Sequence, residues 1–142
     1  MATIMDILTV KGGHVLSIGP EATVLETALL MNEHKVGSLV VMTGGQLIGI
    51  ITERDILRAC AATRGPLEFL NVRERMTRCP IVASPGDEVA DIMCLMTERR
   101  IRHVPVVEHG RLAGLISIGD TVKAQHDELC RENHYLKSYI QS

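Results

Sequence analysis

The chain has 142 residues, 46% of them hydrophobic and 23% charged, with a formal charge of −2. That length makes one compact domain, or two small repeats sharing a core, and it needs no staple to fold. Phe69, Tyr135 and Tyr139 are the only aromatics, which excludes a base-stacking platform, and the slight acidity argues against binding a phosphate backbone non-specifically.

In chain order, the opening Met-Ala-Thr-Ile-Met-Asp lacks the basic and long apolar regions of a signal peptide. A short helix is expected over about 3–8, then an extended segment at 15–18. An amphipathic helix follows, with Val24, Leu25, Ala28 and Met31 as its apolar stripe. Two apolar strands, 36–42 and 47–51, flank Thr43-Gly44-Gly45-Gln46, and a Gly-Gly pair at such a place signals a hairpin. A helix is expected from Thr52 onward.

The same order then recurs. A short helix is expected at about 68–76 and an extended segment at 81–83. Ser84-Pro85-Gly86-Asp87 reads as a helix start with Pro at its first position, ahead of a stripe of Val89, Ile92, Met93 and Met96. Strands at 103–107 and 112–116 enclose Glu108-His109-Gly110-Arg111, and a helix is expected from Ser117. Pro105 ordinarily marks an edge strand, because it cannot donate to a ladder. Over about 120–140, Val122, Leu129, Leu136 and Ile140 approximate a heptad and give an apolar seam, suited to packing on the chain itself or on a second copy. The alternation of helices and strands makes the chain α/β or α+β, with one sheet per repeat.

The recurrence is a tandem repeat at the residue level. A shift of 65 places Pro20 on Pro85, Val24 on Val89, Met31 on Met96, Gly45 on Gly110, Gly49 on Gly114 and Asp55 on Asp120, without a gap from 20 to 59. Upstream the shift is 68, so the first repeat carries three extra residues around Lys11-Gly12-Gly13-His14.

The duplicated chemistry is Gly-Ile-Ile-Thr52-Glu-Arg-Asp55 and Gly-Leu-Ile-Ser117-Ile-Gly-Asp120, each directly after a strand. A hydroxyl followed three residues on by an acid is, in the plainest reading, a helix cap. The same place offers backbone N–H groups and the positive end of a helix dipole, which suit an anion. A carboxylate repels phosphate but accepts hydrogen bonds from ribose hydroxyls, so the Asp suits ribose, while the hydroxyls, Arg54, Arg58, Arg102 and His103 suit phosphate. One side chain can do both.

With Arg102-His103-Val104-Pro105-Val106 beside them, these segments resemble a pair of CBS (cystathionine β-synthase type) domains over about residues 3–125, in the layout of small stand-alone bacterial CBS-pair proteins. The resemblance implies tandem βαββα-type repeats packed sheet to sheet as a pseudo-twofold disc, with a C-terminal helix. The divisions expected are 1–66 for the first repeat with its N-terminal helix, 67–125 for the second, and 126–142 for the helical extension. It also implies regulatory binding of adenosyl ligands (AMP, ADP, ATP, NAD or S-adenosylmethionine) in clefts between the repeats, in signal transduction and without catalysis. Carried over, Asp55 and Asp120 would hold ribose, Thr52 and Ser117 phosphate or ribose oxygens, and Arg102, His103 and Arg54 phosphate. Val15, Val36, Ile81 and Ile101 would wall the adenine. Gly37-Ser38 stands where the second repeat has Arg102-His103, which makes the two sites chemically unequal.

Lys11, in the insertion, is a further candidate phosphate contact, although no phosphate-loop pattern surrounds it and no dinucleotide-binding glycine fingerprint follows a strand. His126, Cys130 and His134 repeat every four residues as zinc ligands can, but a solvated helix face carries such spacing too, and no metal site is assigned. Met31, Met42, Met93 and Met96 suit core gaps. No Cys or Ser has a base at supporting spacing, so an enzyme acting on a bound adenine nucleotide or NAD is the alternative. No catalytic cofactor is expected. The expected setting is the reducing cytoplasm, given scattered Cys60, Cys79, Cys94 and Cys130. A homodimer and an unidentified effector protein are the expected partners, with neither nucleic acid nor membrane.

Overall fold

A computed structural model describes residues 1–62 and 65–141; Ser142, the last residue of the expected extension, lies outside them. The chain divides into two compact units, one of Met1–Gly13 with Val82–Ser142 and the other of His14–Ile81. The short leading segment of each repeat therefore folds in the unit that holds the strands of the other repeat.

The unit of residues 14–81 contains β1 (Ser17–Ile18), α2 (Val24–His34), β2 (Ser38–Thr43), β3 (Gln46–Thr52), α3 (Glu53–Ala62), α4 (Val72–Arg75) and β4 (Thr77–Arg78). Its sheet has the order β1-β2-β3-β4, with β1 parallel to β2 and the other pairs antiparallel. Leu39, Val41 and Ile51 from the sheet, Met31 from α2 and Val72 from α4 form its core. Thr23 caps α2 in a reciprocal box with Glu26. Thr27 and Met31 are buried on the helix while Leu25 is turned outward, so the stripe runs Val24-Thr27-Met31, and the expected place of Leu25 in it is corrected. A threonine reads as polar, yet Thr27 satisfies its hydroxyl on the Thr23 carbonyl and so can be buried.

The other unit contains α1 (Ile4–Lys11), α5 (Val89–Arg99), β5 (His103–Glu108), β6 (Arg111–Ser117) and α6 (Ile118–Gln141). Its core joins Ile4, Ile7 and Leu8 of α1 to Val89, Ile92 and Met96 of α5 and to Val104, Val106 and Ile116 of the sheet. The expected start of α5 is corrected. Pro85 is not its first residue; the helix begins at Val89 after Glu88. Ser84 and Asp87 close a turn of their own, the Asp87 carboxylate accepting the Ser84 N–H at 2.8 Å, and the chain then runs extended through Glu88, bridged to Thr3. The extended segment at 81–83 contributes a single parallel bridge, Ala83 to Val106. Its bonds fall on the Pro105 carbonyl and the Val107 N–H, so the donor that proline lacks is lost where pairing is already sparse.

The two units repeat each other in detail. Both hairpins turn through two residues of positive φ, Gly44-Gly45 and His109-Gly110, the backbone of a type I′ turn. Both bulge at the same place, Val41/Met42 and Val106/Val107. Lys35 and Arg100 end α2 and α5 alike in left-handed conformation. Gly49 and Gly114 answer a packing need: a Cβ on Gly49 would lie 2.8 Å from the Thr77 carbonyl oxygen, and one on Gly114 would meet Leu8. Each glycine thus admits the leading segment that crosses its strand.

Candidate functional site

In both units the strand runs without a break into a helix, and the hydroxyl–carboxylate pair sits at the join. Thr52 ends β3; its N–H donates to Asp55 Oδ2 at 2.9 Å, its hydroxyl lies 3.2 Å from the same oxygen, and the Asp55 N–H donates to Thr52 Oγ1 at 3.3 Å. Asp55 is only 8% exposed. Ser117 ends β6 and repeats the arrangement, with its N–H donating to Asp120 Oδ2 at 2.8 Å and the Asp120 N–H to Ser117 Oγ at 3.2 Å. Both pairs are reciprocal helix caps, and the cap holds each carboxylate in one orientation.

The neighbouring strand brings the rest of the site alongside. His103 is in register with Ser117, and the Ile118 N–H donates to the Arg102 carbonyl at 2.8 Å. In the other unit Ser38 is in register with Thr52, and the Glu53 N–H donates to the Gly37 carbonyl at 3.0 Å. Gly37-Ser38 therefore occupies the position of Arg102-His103, so one unit puts an exposed guanidinium and a half-buried imidazole where the other puts no side chain and a buried hydroxyl. Arg54 is exposed at the start of α3.

Val36 and Ile101 hold the same place in the two units, each half-buried and each donating its N–H to the helix before it, at Met31 and Met96. Val36 also lines a surface pocket of about 440 Å³ with Met31, Lys35, Glu53 and Ile56, a lining that does not include Thr52 or Asp55. Val15 and Ile81 are half-buried at the two ends of the unit of residues 14–81.

Lys11 has a partner that the spacing of residues does not reveal. Its Nζ lies 2.6 Å from Asp120 Oδ2 and 2.8 Å from the Leu115 carbonyl oxygen. The partners are 109 residues apart, and the glycine after Lys11 turns the chain with φ 90° at the end of α1. Burial alone would raise the Asp120 pKa; the Lys11 ammonium and the Ser117 donors outweigh it and hold the carboxyl below its ordinary value. On α6, Cys130 Sγ lies 3.5 Å from His126 Nε2. Among the described residues no three His, Cys, Asp or Glu gather as a metal site, and no helix is long and apolar enough to cross a membrane.

Comparison with known proteins agrees with this duplicated architecture. A mitochondrial CBS domain-containing protein of Arabidopsis thaliana is 38% identical over 98% of this chain and 72% of its own length. The crystal structure of a CBS-domain protein from Agrobacterium tumefaciens is 39% identical, with a TM-score of 0.84 over 87% of this chain and 99% of that one. The CBS domain pair of protein MJ0100, crystallised with 5′-methylthioadenosine and S-adenosylmethionine, superimposes with a TM-score of 0.79 at 25% identity, over 90% of this chain and 98% of that one. The CBS domain family profile matches twice, at residues 4–62 and 72–127, once for each copy of the strand–helix join, and the chain belongs to the CBS-domain family as a tandem pair.

Proposed function

We propose that this CBS pair is a regulatory sensor that binds an adenosyl ligand, AMP, ATP or NAD, and performs no catalysis. The observation that carries the reading is the duplicated join itself: both caps hold the aspartate through its Oδ2 atom and so fix the orientation of a carboxylate, a group that accepts hydrogen bonds from ribose hydroxyls. Protein MJ0100, crystallised with two adenosyl compounds, supports that ligand class. Asp55 and Asp120 hold ribose, and Thr52 and Ser117 contribute hydroxyls. Arg102, His103 and Arg54 take phosphate, and Val15, Val36, Ile81 and Ile101 face adenine. Each site hydroxyl is bonded to the backbone N–H of its own cap, an arrangement for holding a ligand rather than for activating a nucleophile.

The chain passes its state to an effector protein and acts as a homodimer in the reducing cytoplasm, consistent with four exposed free thiols. It has no role on nucleic acid or membrane.

Calorimetric titration of AMP, ATP, NAD and S-adenosylmethionine into wild type, Asp55→Ala and Asp120→Ala tests the reading. One ligand is expected to bind with a dissociation constant on the order of micromolar, and each substitution to remove about one site while the protein stays folded by circular dichroism. Absence of binding by all four would reduce the motifs to helix caps. Turnover of AMP, ATP or NADH by the pure protein would favour the enzyme alternative.

A further inference from the structure

The two joins differ in what covers the outer edge of the strand that leads into them. In the unit of residues 14–81, the Ile50 position of β3 is paired with Thr77 of β4. Leu115 stands at the corresponding place in β6, and its carbonyl accepts from the Lys11 ammonium instead. The three-residue insertion thus replaces a backbone pairing with a cation, which also rests on the ribose-type carboxylate of Asp120. An ammonium has three donors; Asp120 and Leu115 take two, and the side chain is 40% exposed, so a ligand can reach it.

We infer that Lys11 sets the ligand class at Asp120, making that position selective for adenosine carrying a 5′-phosphate over uncharged adenosine. This rests on the adenosyl reading above and deepens it. A neutral ribose shares the carboxylate with the ammonium, which rests on Oδ2, and returns no charge to it. A phosphorylated ligand supplies an anion that takes the lysine's remaining donor, or the whole ammonium, by a charge-assisted hydrogen bond. The lowered pKa of Asp120 agrees with a carboxylate already committed to a cation. Asp55 stands where backbone pairing covers the strand edge, and it lacks this requirement.

The test is a site-resolved titration by NMR, following the amide signals of Ser117 and Asp120 apart from those of Thr52 and Asp55. AMP and adenosine are each added to wild type, Lys11→Met and Lys11→Arg. The preference for AMP over adenosine at Ser117 and Asp120 is expected to fall about tenfold in Lys11→Met, as expected for loss of one hydrogen bond to a charged group. It should be kept in Lys11→Arg and unchanged at Thr52 and Asp55 in both variants. Binding of AMP with the same preference in Lys11→Met overturns the inference and leaves the sensor reading standing. An equal fall at both positions also overturns it, since Lys11 would then act through the fold. Failure of both compounds to bind any of the three proteins overturns this inference, while the adenosyl reading falls only if ATP, NAD and S-adenosylmethionine fail as well.

Discussion

Asp120 gives the fold a pH response through its pair with Lys11. Its folded pKa lies below the ordinary carboxylate value, so the pair with Lys11 contributes fully above the unfolded value and is lost as pH falls through the folded one. The pair is partly exposed, which limits its contribution to at most about 1 kcal/mol. Urea unfolding of wild type and Lys11→Met is therefore expected to show a small stability gap, constant near neutrality, that closes as the pH drops below about 4. A gap that persists undiminished well into the acid range would mean that Lys11 acts through its Leu115 hydrogen bond alone. The pairing lay outside what the sequence discloses. Residues 11 and 120 are distant in the chain, and only the folded course of α1 along β6 joins them. The caps were legible, because a hydroxyl three residues before an acid depends on local geometry alone.

At the scale of elements, the hairpins and their helices follow from local chemistry. Glycine at Gly44, Gly45 and Gly110 admits the positive φ of the turns, and the flanking apolar runs fix the strands. The start of α5 is not legible locally, because Pro85 and Asp87 are good helix openers in isolation. Tertiary pairing of Glu88 with Thr3 keeps that stretch extended. Amphipathicity also cannot tell α1 which sheet to cover. Ile4 of α1 is fully buried, so Ile4→Ala is expected to lower stability by about 2–5 kcal/mol in denaturant unfolding. A loss below about 1 kcal/mol would show that α1 is only loosely attached.

For the whole molecule, the open question is what meets the terminal helix. Leu129 (63% exposed), Leu136 and Ile140 (79%) lie on α6 with Tyr135 and Tyr139, and Leu29 and Leu57 are exposed on α2 and α3. An apolar seam of this kind suits a second copy. Wild type is expected to sediment as a dimer, and Leu129→Glu with Leu136→Glu to shift it toward monomer while the melting of the fold stays in place. A wild-type monomer at every concentration and ligand level would remove the homodimer. A dimer that survives both changes would place its contact on other helices.

The exchange of leading segments orders the assembly of the chain in time. The unit of residues 14–81 is continuous, and all of its core is present once Ile81 has left the ribosome. The other unit is begun before that stretch and completed after it: Ile4, Ile7 and Leu8 of α1 complete their core only against Val104, Val106 and Ile116. At about 5–20 residues per second that interval lasts about 5–20 seconds. An eight-residue helix does not persist alone in water. During synthesis α1 therefore stays unfolded until β5 and β6 are made.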